Sequence, residues 1–177
     1  QGKYDAAESL YDQSIDIRVE VLGSDHTDAT TLANWAGLCV KQGKFLEASA
    51  FFRRSLEIQE SALVPEHPAL AMTLNNSADL YIRKAMFRKA DRLCERSLAM
   101  QEKLLGPEHP DVAATLTNRA RLMVKEGKFD EAKPFYERSL DIQKEALGSE
   151  HPDVGTTLGY MAELQEKEVG QFIGAFS

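Results

Sequence analysis

Residues 116–153 read LTNRARLMVKEGKFDEAKPFYERSLDIQKEALGSEHPD, and this stretch decides the fold. Leu116, Ala120 and Met123 fall on one face at helical steps, as do Phe129, Ala132, Tyr136, Leu140 and Leu147. Between the two stripes lies Lys125-Glu126-Gly127-Lys128, where Gly127 can take the left-handed conformation that ends a helix. Gly148 closes the second stripe. His151-Pro152-Asp153 then opens a new helix, with proline at its first position and an acid beside the positive end of its dipole. The unit is a short helix, a tight turn and a longer helix.

The unit recurs along the whole chain. Leu32, Leu74, Leu116 and Leu158 are 42 residues apart; Asn34, Asn76 and Asn118 keep the same step, and Tyr160 takes the fourth place. Ala7, Ala48, Ala90, Ala132 and Ala175 recur with it, and so do His26, His67, His109 and His151, each preceded by an acid. The first repeat is one residue short between His26 and Asn34, and one extra residue lies between Leu164 and Gly170. A hairpin of two helices cannot bury its apolar stripe alone, so successive units must stack into a solenoid. The spacing predicts helices over 3–22, 28–41, 44–63, 69–83, 86–105, 111–126, 128–147 and 153–169, with a stub from 171. Residues 1–177 then form a single array, with pairs over 28–63, 69–105, 111–147 and 153–177 and an unpaired second helix over 3–22. Gln1-Gly2-Lys3-Tyr4 begins inside the pattern, so the chain is expected to be part of a larger protein.

Asn118-Arg119-Ala120, Gly127-Lys128-Phe129, Ala132, Tyr136 and Ser139-Leu140 resemble the tetratricopeptide signature of paired antiparallel helices. The unit is longer than the common one of about 34 residues. In this it is similar to the repeats of kinesin light chains and of arrays attached to NB-ARC domains. The resemblance covers essentially the whole chain and implies an all-α fold, a right-handed α-solenoid of antiparallel helix hairpins. HEAT and armadillo units share the period but lack the Gly-Lys-aromatic-x-x-Ala spacing, and a WD40 propeller would need alternating strands. Some residues depart from the pattern. Val64 stands where Gly23, Gly106 and Gly148 end the other long helices, which predicts a different loop. Ser77 and Arg119 stand where a leucine is usual. Gly155 and Gly159 weaken the last short helix, and Pro134 predicts a bend or a displaced first turn in 128–147.

Composition narrows the function. Over 177 residues the net charge is -7, which disfavours nucleic acid and anionic lipid as partners. No apolar run nears the roughly 20 residues of a membrane span, and no signal-peptide pattern opens the chain. Cys39 and Cys94 lack metal or redox spacing and read as inert core thiols of a cytoplasmic protein. The histidines lie in separate repeats, whose helical layers stack about 8–10 Å apart, whereas zinc needs ligands near 2 Å. They are expected to start helices, so no metal site is expected. There is no phosphate loop or nucleophile motif, so neither cofactor nor catalytic residue is expected. Trp35 sits mid-way along an apolar arc and reads as core.

The remaining candidate is a polar stripe on each short helix: Asn34, Gly37 and Lys41; Asn76, Asp79 and Arg83; Asn118, Arg121 and Lys125; Tyr160, Glu163 and Lys167. The family resemblance implies that the first helix of each pair lines a concave wall, and that its asparagines hold an extended peptide by the backbone. The stripe carries a net +3 on an acidic chain, so an acidic peptide is the expected ligand. Both Asn76 and Asn118 are expected to keep their amides free. Specificity is expected from the positions that differ between repeats, Gly37, Asp79, Arg121 and Glu163, with Ala33, Asn75, Thr117 and Gly159 alongside. The competing reading is a structural or oligomerisation segment that uses the convex face or the array ends, where Tyr4, Leu10 and Tyr11 would drive end-to-end self-association.

Overall fold

The computed structural model describes residues 13, 17, 29–61 and 66–174, and among them it contains seven α-helices and no strand. They are α1 (Ala29–Lys41), α2 (Phe45–Ser61), α3 (Pro68–Arg83), α4 (Phe87–Leu105), α5 (Pro110–Lys125), α6 (Phe129–Leu147) and α7 (Pro152–Gly174). The expectations for Val64, His26, the helix over 3–22 and the N-terminal Tyr4, Leu10 and Tyr11 fall outside the described residues.

Each short helix ends in the same way. Lys44 N–H bonds back to Cys39 O, Met86 to Tyr81 O and Lys128 to Met123 O, each at 2.9 Å. Gly43, Ala85 and Gly127, one residue earlier, bond to Val40, Ile82 and Val124. This six-to-one and five-to-two pair reverses the chain and requires a left-handed residue in the middle. Gly43 and Gly127 supply it at φ 74° and 79°; Ala85 is forced to φ 55°. Each new hairpin then starts on histidine. The Nδ1 atoms of His67, His109 and His151 accept from the backbone N–H of Ala69, Asp111 and Asp153 at 3.1–3.2 Å, capping α3, α5 and α7 just before a proline. An imidazole is an unusual cap, but it meets the same need for an acceptor at the helix start.

Within a hairpin the helices are held close by one repeated bond. Ser55, Ser97 and Ser139 donate to the carbonyls of Ala29, Ala71 and Ala113 at 2.5–2.8 Å, in buried surroundings. Small residues at the crossing, including the fully buried Ala48, Ala90 and Ala132, permit the approach. Between hairpins, Thr115 donates to Gln101 at 2.7 Å and Thr157 to Gln143 at 2.8 Å. Successive first helices α1, α3, α5 and α7 touch one another, whereas α2, α4 and α6 do not. The second helices are linked instead by ion pairs between long side chains, such as Arg96–Glu60 and Arg138–Glu102. The stack therefore curves with its first helices on the inner side.

One expectation is corrected, and one half of a second. The sequence places a turn at Gly170, but α7 runs unbroken through Gly155, Gly159 and Gly170 to Gly174. Gly170 keeps a negative φ, and the extra residue before it removes the register in which Gly127 turns. Buried Val154, Thr157 and Leu164 anchor the helix, and this packing overrides a cost of roughly 1 kcal/mol per glycine. Leu158 is 47% exposed, unlike its buried counterparts Leu32, Leu74 and Leu116. Pro134 does not displace the first turn either: α6 begins at Phe129, in register with Phe45 and Phe87. At N6 it removes one bond, to the Asp130 carbonyl, and the remaining turns carry the helix on.

Ala85 is exposed and strained by its left-handed backbone, a conformation that suits glycine. Ala85→Gly is expected to stabilise the protein by roughly 0.5–1 kcal/mol in denaturant unfolding, net of the extra freedom glycine has when unfolded. A loss of stability would show that the turn is not what limits this hairpin.

Candidate functional site

The polar stripe lies on the inner helices, and its residues meet across repeats. Arg121 on α5 is the hub. Its Nη1 donates to Asp79 Oδ1 on α3 at 2.6 Å and to Asn118 Oδ1 at 2.8 Å. Asp79 also receives Arg83 Nε at 2.8 Å. Asn118 Nδ2 donates to Asn75 Oδ1 at 2.9 Å. The Arg121 guanidinium sits 4.7 Å from the centre of the Tyr160 ring on α7, and Tyr160 stacks on Tyr136 at 6.4 Å. Three successive inner helices are thus tied by one network, in which charge-assisted bonds are the stronger members. Burial raises the Tyr136 hydroxyl above its ordinary pKa.

Glu163 anchors the next step. Lys167 donates to it at 2.7 Å and Lys125 lies 3.7 Å away. The bond from Lys167 is the largest influence; burial, the second, opposes it, and with the charges of Lys167 and Lys125 added the carboxyl is held below the usual glutamate range. Asp79 and Glu163 are therefore each clasped between two cations of the stripe. The net +3 persists, but the basic groups are partly neutralised where they stand.

The structure separates the candidates. Asn34, Lys41, Asn76, Arg83 and Lys125 are exposed; Asp79, Arg121, Tyr160, Glu163 and Lys167 are half-buried. Asn76 is exposed and its side chain makes no hydrogen bond among the described residues. Asn118 is 9% exposed and both ends of its amide are engaged, so the expectation of a free amide fails there. The cause is the residue three positions on. Arg121 reaches back to Asn118, whereas the acidic Asp79 cannot donate to Asn76. Ala33, Asn75 and Thr117 are also buried, and the hydroxyl of Thr117 lies 2.7 Å from that of Ser139. Asn75 and Thr117 are bonded within the array, whereas Ala33 lines the cleft between α1 and α3. Residues missed at the sequence level include the Ser55/97/139 and Gln101/143 ladders, whose 42-residue period was available in the letters.

On α1 and α3 the exposed stripe residues open into a cleft of about 410 Å³ lined by Asn34, Gly37, Leu38, Lys41, Asn76, Asp79 and Arg83, with Phe52 and Val40 behind. Elsewhere Trp35 packs edge-on to Phe51 at 5.7 Å. Cys39 and Cys94 are buried thiols, and burial, aided by Asp91, pushes Cys94 up to about 12, the environment of an unreactive thiol. No helix among the described residues is long and apolar enough to cross a membrane.

Stacked hairpins with touching inner helices, splayed outer helices and a 42-residue bonding pattern define an α-solenoid of helical hairpins. A family model described as Tetratricopeptide repeat matches residues 1–61, 27–103, 69–145 and 120–175. The chain belongs to the tetratricopeptide repeat family, a non-catalytic scaffold fold whose repeats mediate protein–protein interactions. Similar solved structures include a putative kinesin light chain of nearly identical TPR-like repeats from Podosopora anserina. It is 27% identical with a TM-score of 0.62, over 98% of this chain and 85% of that one. A point variant of the same protein has a TM-score of 0.64 over the same shares. BtubC (BKLC) from P. vanneervenii shares the fold at 19% identity and a TM-score of 0.69, with 94% of this chain covering 66% of that one. No curated protein sequence matches the chain.

The two asparagines should separate in stability. Asn118→Ala strips the Arg121 and Asn75 partners and is expected to cost about 1.5–3 kcal/mol in chemical unfolding. Asn76→Ala is expected to stay within about 0.5 kcal/mol. Equal costs for both would contradict the network.

Proposed function

We propose that this chain is a scaffold module of a larger protein that holds an extended, acidic segment of a partner protein along its inner helices. The observation that carries the reading is the cleft between α1 and α3, whose walls are stripe residues of two successive repeats. Asn34 and Asn76 present exposed amides there, and an amide can both donate to and accept from a peptide backbone. Lys41 and Arg83 flank them, giving an acidic segment a favourable approach. Arg121, Asn118, Asp79 and Tyr160 serve as the braced floor of the lane, with Lys125, Glu163 and Lys167 continuing it on α5 and α7. We read the module as cytoplasmic, supported by its two buried thiols, neither of them in a disulfide.

A second reading, end-to-end association, is favoured by one observation: Leu158 and Val169 on α7 are 47% and 58% exposed. A concentration series by analytical ultracentrifugation separates it from peptide capture.

Titration of an acidic and a charge-neutral peptide of equal length tests the main reading. The acidic peptide should bind more tightly, and its advantage should shrink as the screening length falls from about 30 Å at 0.01 M salt to about 8 Å at 0.15 M. Asn34→Ala/Asn76→Ala should weaken both peptides without lowering the melting temperature. Binding that ignores salt, charge and both asparagines would move the site to another face.

A further inference from the structure

On the other side of α3, the residue at the Ser77 position decides what fills the gap between successive outer helices. In the first hairpin its counterpart is Trp35, packed edge-on against Phe51. In the third it is Arg119, which lies 5.2 Å from the centre of the Phe135 ring and reaches back to α4, 3.0 Å from Glu95 and 3.9 Å from Asp91. Both positions carry a planar group packed on an aromatic ring, Phe51 or Phe135. The second hairpin has Ser77 facing Leu93, two small replacements at once, and a cavity of about 610 Å³ lies between α2 and α4. Leu56, Leu74, Leu93 and Phe52 give it apolar walls.

Two further features say what would fit. Ser77 is fully buried, lines this cavity, and its Oγ has no hydrogen-bond partner, an uncommon state for a buried hydroxyl. The charge of the wall is also reversed. Where Asp91 and Glu95 clasp Arg119 in the third hairpin, the positions 42 residues earlier hold Ser49 and Arg53. Arg92 and Lys89 stand on the facing wall; of the two acids that line the cavity, Glu60 is held by Arg96 and Glu57 lies 3.5 Å from Arg54, so the basic groups outnumber the acidic ones. A slot shaped for a planar group, with basic in place of acidic walls, suits a planar anion. Its volume lies within the roughly 300–1,000 Å³ of small-molecule sites.

We propose that the cavity between α2 and α4 is a binding site for a small aromatic carboxylate, with the ring against the half-buried Leu56 and Leu93, the acid group towards Arg92, and the Ser77 hydroxyl at the base of the slot. The site shares only Phe52 with the walls of the peptide lane, and the proposal stands independently of that lane.

Methyl and amide NMR of the full chain, titrated with 1-naphthoate and separately with 1-naphthylmethylamine, tests this. Naphthoate should give saturable shifts at Leu56, Leu74, Ser77 and Leu93, with the amine at least about tenfold weaker. Ser77→Trp/Leu93→Phe, which copies the first hairpin, should abolish the shifts. Arg53→Glu/Arg92→Glu, two exposed changes that keep the cavity, should remove the preference for the acid and serves where the filled variant fails to fold. Equal response to acid and amine, shifts that persist in the filled variant, or shifts confined to Asn34, Asn76 and Arg83 would overturn the proposal.

Discussion

A serine hydroxyl wedged between two helices sets the geometry of each hairpin. The carbonyl that Ser97 meets, that of Ala71, is already inside a helix, so the hydroxyl takes its second lone pair without disturbing the first. This needs backbone contact, and therefore alanine on the opposing helix. Once Ser55, Ser97 and Ser139 have fixed each pair, the rotation of each first helix is fixed too. Leucines at the 32/74/116 position point into the core, and the asparagine two residues on points to the inner surface. Thr115–Gln101 and Thr157–Gln143 then pass the register from one hairpin to the next.

The inner surface follows from that register. Repeat-equivalent side chains fall one above another, so an acid in one unit meets a cation from the next: Asp79 with Arg121 is such a pair at the full 42-residue step. The stripe is a clasped ladder over α3 to α7 and an open cleft over α1 and α3. Bracing engages the side chains that take part, Arg83 among them, and leaves Asn34, Lys41 and Asn76 exposed. The same register produces the outer slot: Arg119 occupies it between α4 and α6, and Ser77 leaves it open between α2 and α4.

Much of this was legible in the letters. The 42-residue period gave the helices nearly to the residue, and the Glu/Asp-His pattern before each restart marked the imidazole caps. The missing parts share one physical cause: they depend on a neighbour one repeat away. Asn76 and Asn118 are the same letter at the same position, but Asn118 is buried by Arg121 and Asn75. Gly170 looks like Gly127, yet a glycine permits a turn without compelling one, and α7 has packing enough to continue. Ser77 was visible as a departure from the pattern; its consequence required the spacing of α2 and α4.

A double-mutant cycle on Thr115 and Gln101 tests most directly whether buried polar bonds between hairpins hold the array in register. Thr115→Val and Gln101→Met should each cost about 1–3 kcal/mol, since each strands a buried partner. The double variant should cost little more than one of them, a coupling of at least about 1 kcal/mol. Thr73 and Gln59 supply the internal control: Thr73 turns to Ala69 instead and the buried Gln59 Oε1 has no partner, so the same cycle there should show no coupling. Additive costs at Thr115 and Gln101, equal to those at Thr73 and Gln59, would contradict the account.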